Sequence, residues 1–212
     1  MGDLILDMYR WFPVTGASYT TTNYSLTNSP QIGVDGITTD QSKLTYSFDF
    51  KDSHFAIIST DAVGNDIHAP STWLEKDLAT AKERGAKHMF VFAHRPVFTY
   101  KYTESVTPGG LDTNMTHANA VWDIIEKYHA TYFCGHEHIY NVSQPRKNAY
   151  QVIVGSGGSP FEATTPTGKR TDQMYAWANV DVFESGKVKI TIHGFDDKFG
   201  NIETIDTFNL TQ

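Results

Sequence analysis

HMFVFAHRP (His88–Pro96) and TYFCGHEH (Thr131–His138) decide the fold. In each, a short, nearly continuous apolar run, His88–Ala93 and Thr131–Cys134, leads into histidine. Runs of this length suit strands buried on both faces, as in a parallel sheet covered by helices. The intervening segments support that. Ala118–Tyr128 places Val121, Trp122, Ile124, Ile125 and Tyr128 at helical spacing. Upstream, Trp73, Leu74, Leu78 and Ala81 share one helical face, with Thr72 expected to cap, Glu75 three residues on, and Gly85 as the stop.

Two further strands precede this unit. LTYSFDF (Leu44–Phe50) and FAIIST (Phe55–Thr60) predict a hairpin turning near Lys51–His54. After His138 the pattern changes. Tyr150–Val154, Tyr175–Val182, Lys187–His193 and Ile202–Leu210 read as strands without helices between them, with Glu184-Ser185-Gly186 as one turn. Thr20–Lys43 reads as a long irregular loop. The expected class is therefore α/β, an α+β sandwich in which strand–helix–strand order gives way to a meander.

Composition narrows the function classes. The 212 residues carry 17 Lys+Arg and 24 Asp+Glu, a formal charge of −7, with 40% hydrophobic residues and 19% charged. That is ample for a core and unlike a disordered chain. The acidic balance, with no basic cluster, speaks against nucleic acid or an anionic membrane as partner. No run approaches the ~18 apolar residues of a membrane span. Cys134 is the single cysteine, so a metal would be held by His, Asp, Glu or Asn. Residues 1–16 have neither a basic n-region nor a long apolar h-region. Asn-x-Ser/Thr sites at Asn23, Asn114, Asn141 and Asn209 lean toward an extracytoplasmic setting.

Sites in open α/β sheets lie at the carboxyl ends of strands. His94 ends one buried run; His136 and His138 end the next. In extended backbone, side chains two apart share a face, so the three imidazoles are expected to converge as nitrogen ligands for Zn, Fe, Mn or Co. Glu137 would then point away. Isolated histidines (His54, His68, His88, His117, His129, His193) read as core or surface residues. Cys134 reads as a small buried hydrophobe. Gly155-Ser156-Gly157-Gly158 suits a flexible turn better than a phosphate nest.

YSFDF…HFAIIST (Tyr46–Thr60), STWLEKDL (Ser71–Leu78), FAHRPVF (Phe92–Phe98), CGHEHIY (Cys134–Tyr140) and VGSGGSP (Val154–Pro160) together resemble the calcineurin-like metallophosphoesterases, closest to the purple acid phosphatase-type branch. The resemblance implies a four-layer α/β/β/α sandwich. It also implies hydrolysis of phosphate esters by a metal-bound hydroxide between two metals, Fe, Zn or Mn. By motif, His94 and His136 would bind one metal and His138 the other, and Arg95 would orient the loop or touch phosphate. The family's Asp-x-His, Gly-Asp and Gly-Asn-His motifs do not appear as a set; Gly2-Asp3 and Gly64-Asn65-Asp66 are not assigned to them.

Residues 1–212 are therefore expected to form a single, incomplete domain that lacks the N-terminal βαβ portion. It would hold one metal or none, with weak or no activity, unless a separate N-terminal half or a homodimer completes it. The alternatives are a non-catalytic remnant acting as a binding or assembly module and a mononuclear zinc hydrolase with three histidine ligands.

Overall fold

The computed structural model describes residues 21–25, 27–60, 68–100, 109–158, 160–161 and 173–210. Gly2-Asp3 and Gly64-Asn65-Asp66 lie outside them, as do residues 101–108 of the loop after His94. The chain runs β1 (Tyr46–Phe50), β2 (Ser53–Ile57), α1 (Ser71–Glu83), β3 (His88–Phe92), a 3-10 turn (Leu111–Thr113), α2 (Met115–Lys127), β4 (Thr131–Cys134), β5 (Tyr140–Ser143), β6 (Gln151–Val154), β7 (Tyr175–Val182), β8 (Val188–Phe195) and β9 (Glu203–Leu210).

Two sheets result. One has six strands in the order β1-β2-β3-β4-β6-β5; the other is the antiparallel meander β7-β8-β9. Strands β2, β3, β4 and β6 are parallel neighbours, and β1 and β5 close the two edges antiparallel. This is the expected mixed α/β sandwich. Strand alternation splits the core. Ala56, Met89, Val91, Tyr132, Cys134 and Ile153 face the helices, against Leu74, Leu78, Val121, Trp122 and Ile125. Phe90, Phe133 and Val152 face the other way, against Ala176, Val188, Ile190 and Ile192 of the second sheet. Among the described residues both helices line the first of these cores, giving three layers, α/β/β.

The β1–β2 hairpin turns through Lys51 and Asp52, with Phe50 opposite Ser53 and Lys51 left-handed at φ 54°. Its helix-facing side carries a buried charged cluster. The fully buried His54 ring reaches Asp49 Oδ1 at 2.5 Å through Nδ1 and Asp77 Oδ2 at 2.8 Å through Nε2. Arg84 adds two bonds to Asp49, and Ser47 and Asn28 donate to Asp77. Burial pushes the His54 pKa down, but the bonds to Asp77 and Asp49 outweigh it and the net shift is upward. An imidazolium donating to both carboxylates fits that balance. His54 is a satisfied core histidine, as expected, and it ties β1, β2 and α1 together.

The helix ends contain one correction. Thr72 does not cap α1. Pro70 is the N-cap residue and supplies no side-chain bond. The carboxylate of Asp35 takes that role, accepting from Thr72 N at 2.7 Å and Thr72 Oγ1 at 2.8 Å. A carboxylate satisfies orphan N–H groups and complements the helix dipole. Glu75 instead pairs with Lys127 and accepts from the Tyr128 hydroxyl at 2.9 Å, joining α1 to α2. Gly85 ends α1 as expected. It is left-handed at φ 93°, with Gly85 N bonded to Lys82 O and Ala86 N to Ala81 O. Helix α2 starts three residues earlier than its apolar stripe, because the Asn114 side chain accepts from His117 N.

Candidate metal site at the strand ends

The ladder between β3 and β4 continues past both strands. Ala93 N donates to Phe133 O, and Gly135 N donates to His94 O, both at 3.0 Å. These bonds set His94 beside the loop 135–138. The backbone around them is pinned from several sides. Arg95 N donates to Thr60 Oγ1 at 2.9 Å, and the Tyr132 hydroxyl donates to Arg95 O at 2.8 Å. Buried Gln151 accepts from Val97 N and Phe98 N and donates to Phe98 O.

His94 Nε2 and His136 Nδ1 lie 3.1 Å apart, with the rings nearly perpendicular at 81°. Two nitrogens bound tetrahedrally to one ion at about 2.05 Å would sit ~3.3 Å apart. The pair therefore fits two ligand positions of a single cation. The other nitrogen of His136 faces a wall. A Cβ placed on Gly109 would fall 1.8 Å from His136 Nε2, so any other residue there must displace the ring. Arg95 holds that wall, its Nη1 donating to Gly109 O at 2.7 Å. That bond orients the loop, one of the two roles expected of Arg95.

The Nδ1 of His138 meets Pro160 O at 3.0 Å, a bond that leaves Nε2 as its ligating nitrogen. The expectation that 136 and 138 share a face assumed extended backbone, and this loop is not extended. His136 is left-handed at φ 66°, and tight bonds run from Glu137 N to Gly135 O and from Ile139 N to Glu137 O. A left-handed residue between two tight turns rotates its neighbours off the period of two. Among the described residues no three His, Cys, Asp or Glu side chains are grouped to hold an ion. A non-glycine residue held left-handed at a strand end is a strained position of the kind found at functional sites.

Glu137 is buried and accepts from Tyr100 N at 2.8 Å, fixing the start of the loop after β3, in line with a supporting role. Burial, then the charge of Glu137, pushes the Cys134 thiol well above its ordinary range, and Sγ points to Val152 O at 3.9 Å. It is an inert hydrophobe, as expected. Within the glycine run 155–158, Gly155 has a packing role, whereas Gly158 faces open space as a turn residue would. A Cβ on Gly155 would lie 2.0 Å from Glu137 O, so Gly155 permits a close backbone approach beneath the histidine loop. Thr60, Gln151 and Gly109 were not singled out from sequence. Their polar contacts join segments far apart in the chain, with no local signature.

The sequence matches no protein-family profile and no curated protein. Solved structures do match. A purple acid phosphatase from yellow lupin (Lupinus luteus) seeds aligns with TM-score 0.61 at 15% identity, over 87% of this chain and 39% of that one. A dimetal phosphatase from Danio rerio aligns with TM-score 0.48 at 12% identity, over 79% of this chain and 60% of that one. At such identities the first likeness establishes the fold alone, a calcineurin-like phosphoesterase fold. The chain spans about two fifths of the length of the lupin enzyme.

Proposed function

We propose that this chain carries the histidine ligands of a metal-dependent phosphoester hydrolase. The observation that carries the proposal is the 3.1 Å approach of His94 Nε2 and His136 Nδ1 at the ends of two adjacent parallel strands. It occurs on a fold shared with a purple acid phosphatase. The donor chemistry suits Zn, Fe or Mn. His138, its Nδ1 held by Pro160 O, would bind through Nε2. When bound, such an ion supplies Lewis acidity toward phosphate oxygen and a lowered pKa for coordinated water.

The protein's own residues have definable parts. His94 and His136 present nitrogen lone pairs from fixed backbone. Gly109 and Arg95 set the rotation of the His136 ring, and Glu137 anchors the adjoining loop. Arg95, next to His94 in sequence, would also contact a phosphate ester. Neutral imidazoles alone leave cationic charge uncompensated, so the chain by itself is expected to hold one ion with open positions and to turn over slowly. A second polypeptide or a second copy donating carboxylates would complete the set.

The test is release of p-nitrophenol from p-nitrophenyl phosphate by the metal-loaded chain. Slow, metal-dependent release abolished by His136→Ala supports the proposal. Release indifferent to metal or to His136→Ala overturns it. One observation favours a second reading, a non-catalytic binding module: no group of three ligating side chains is present among the described residues. An ion bound tightly without any turnover would select that reading.

A further inference from the structure

We infer that Phe161, Tyr175 and Phe199 form a stacking platform for an aromatic leaving group, so that the phosphate ester taken at the histidines carries a flat ring. The inference rests on the phosphoesterase reading above and names its substrate class.

The platform starts at a candidate ligand. Pro160 O accepts from His138 Nδ1 at 3.0 Å, so the backbone that sets this imidazole also carries Phe161, the next residue. The Phe161 and Tyr175 ring centroids lie 4.7 Å apart. Tyr175 opens β7 opposite Phe195 at the end of β8. Its ring meets Phe195 at 5.4 Å and runs nearly parallel to Phe199, with 11° between the planes and 6.0 Å between centroids. Separate contacts put this end of β7 at the histidine end. A Cβ on Gly155 would fall 2.0 Å from Glu137 O, and one on Gly157 would fall 3.9 Å from Ala176 O. The loop 155–157 therefore adjoins both the histidine loop and the start of β7.

Strand alternation shows that these rings are not core. Ala176 and Ile192 are buried against the six-stranded sheet, so Tyr175, Trp177 and Phe195 take the opposite face of the second sheet. Farther along that face stand Asn179, Asp181, Lys189 and Thr191, the polar pattern of a solvated sheet. The aromatic side chains of this face gather at the end beside His138.

Phe199 is the informative member. It is 75% exposed and left-handed at φ 54°. Neither property serves folding, since exposure forgoes apolar burial and a side chain in left-handed backbone is strained. The turn that holds it is pinned, with Phe199 N donating to Asp196 O and Lys198 N to Asp196 Oδ1, both at 3.1 Å. A fixed turn presenting a bare ring beside a parallel neighbour suits a ligand ring laid against it. Contacts made there, away from phosphorus, would orient the ester at the histidines.

The test is calorimetric titration of the Co(II)-loaded full chain with phenylphosphonate, cyclohexylphosphonate and inorganic phosphate. The cyclohexyl group matches phenyl in size but has no π face. Phenylphosphonate is expected to bind about 3–10-fold more tightly than cyclohexylphosphonate. That ratio should fall toward one in Phe199→Ala and persist in Phe199→Tyr; should a variant unfold, the parent's own ratio decides. Binding of phosphate with no preference for the phenyl compound overturns the inference and leaves the phosphoesterase reading standing. A preference that survives both Phe199→Ala and Phe161→Ala puts the ring elsewhere and also overturns it. Binding of neither phosphate nor either phosphonate overturns both. Adenosine monophosphate separates two sources of a flat ring: tighter binding than phenylphosphonate assigns a nucleobase, and weaker binding a small aryl group.

Discussion

Gly109→Ala and Gly155→Ala separate the candidate site from the fold that carries it. A Cβ on Gly109 falls 1.8 Å from His136 Nε2 and 2.4 Å from Cδ2. Non-bonded atoms of this kind settle near ~3.5 Å, so the ring must retreat about 1.7 Å. His136 is only partly buried and its ring can swing, so unfolding free energy should fall by less than about 1 kcal/mol. The ligand geometry has no such slack. Metal sites tolerate about 0.5 Å, and losing an orienting contact costs roughly 10–100-fold in affinity. Gly155 presents the opposite case. Its Cβ would fall 2.0 Å from Glu137 O and 2.9 Å from Glu137 C, and backbone cannot swing aside. Overpacking against fixed backbone costs about 1–3 kcal/mol or more. Urea unfolding and calorimetric titration with Co(II) measure both quantities. Gly109→Ala binding the metal as tightly as the parent, or losing as much stability as Gly155→Ala, would refute this assignment of the wall.

Three further outcomes are expected. His54→Ala removes the cation between Asp49 and Asp77 and should cost about 3 kcal/mol in urea unfolding; a loss under 1 kcal/mol, by the same estimate, would show the cluster to be incidental. The raised His54 pKa makes its contribution complete below the ordinary value of about 6.5 and lost as pH rises through the folded-state value. Asp49 behaves in the opposite sense. Burial raises its pKa, but the bonds from His54, Asn23 and Arg84 outweigh that and lower it, so its contribution is lost as pH falls. Stability-versus-pH curves of parent and His54→Ala should therefore draw together above neutrality. Asp35→Ala deletes the α1 cap and should cost about 1 kcal/mol, read as a lower thermal midpoint. His129→Gly should stabilise by about 0.5–1 kcal/mol, because exposed His129 sits left-handed at φ 51° in the turn that ends α2; a lower midpoint would contradict the assigned strain.

Much of the fold was legible because burial on both faces leaves a local trace. β4 and β7 have the predicted boundaries, and β3 ends one residue early. Gly85 announced its turn because glycine alone fits a left-handed position without cost. The Asp35 cap was not legible, since its partner Thr72 lies 37 residues away. Strand β5 was missed because the alternation of YNVS runs over only four residues, too few to stand out from a loop. It forms by pairing with β6. At the site, the alignment of His94 with the end of β4 follows from strand order. The twist of the loop between His136 and His138 does not. It depends on a positive φ at a non-glycine residue, which no side-chain pattern signals.

The most direct measurement is a Co(II) titration of the full chain, followed by its d–d absorption, for the parent, His94→Ala, His136→Ala and His138→Ala. Paired imidazoles at 3.1 Å predict one ion per chain, with the signal lost in the first two variants. A chain that binds no cobalt, or that binds it equally well without His94 and His136, would contradict a metal site at these strand ends.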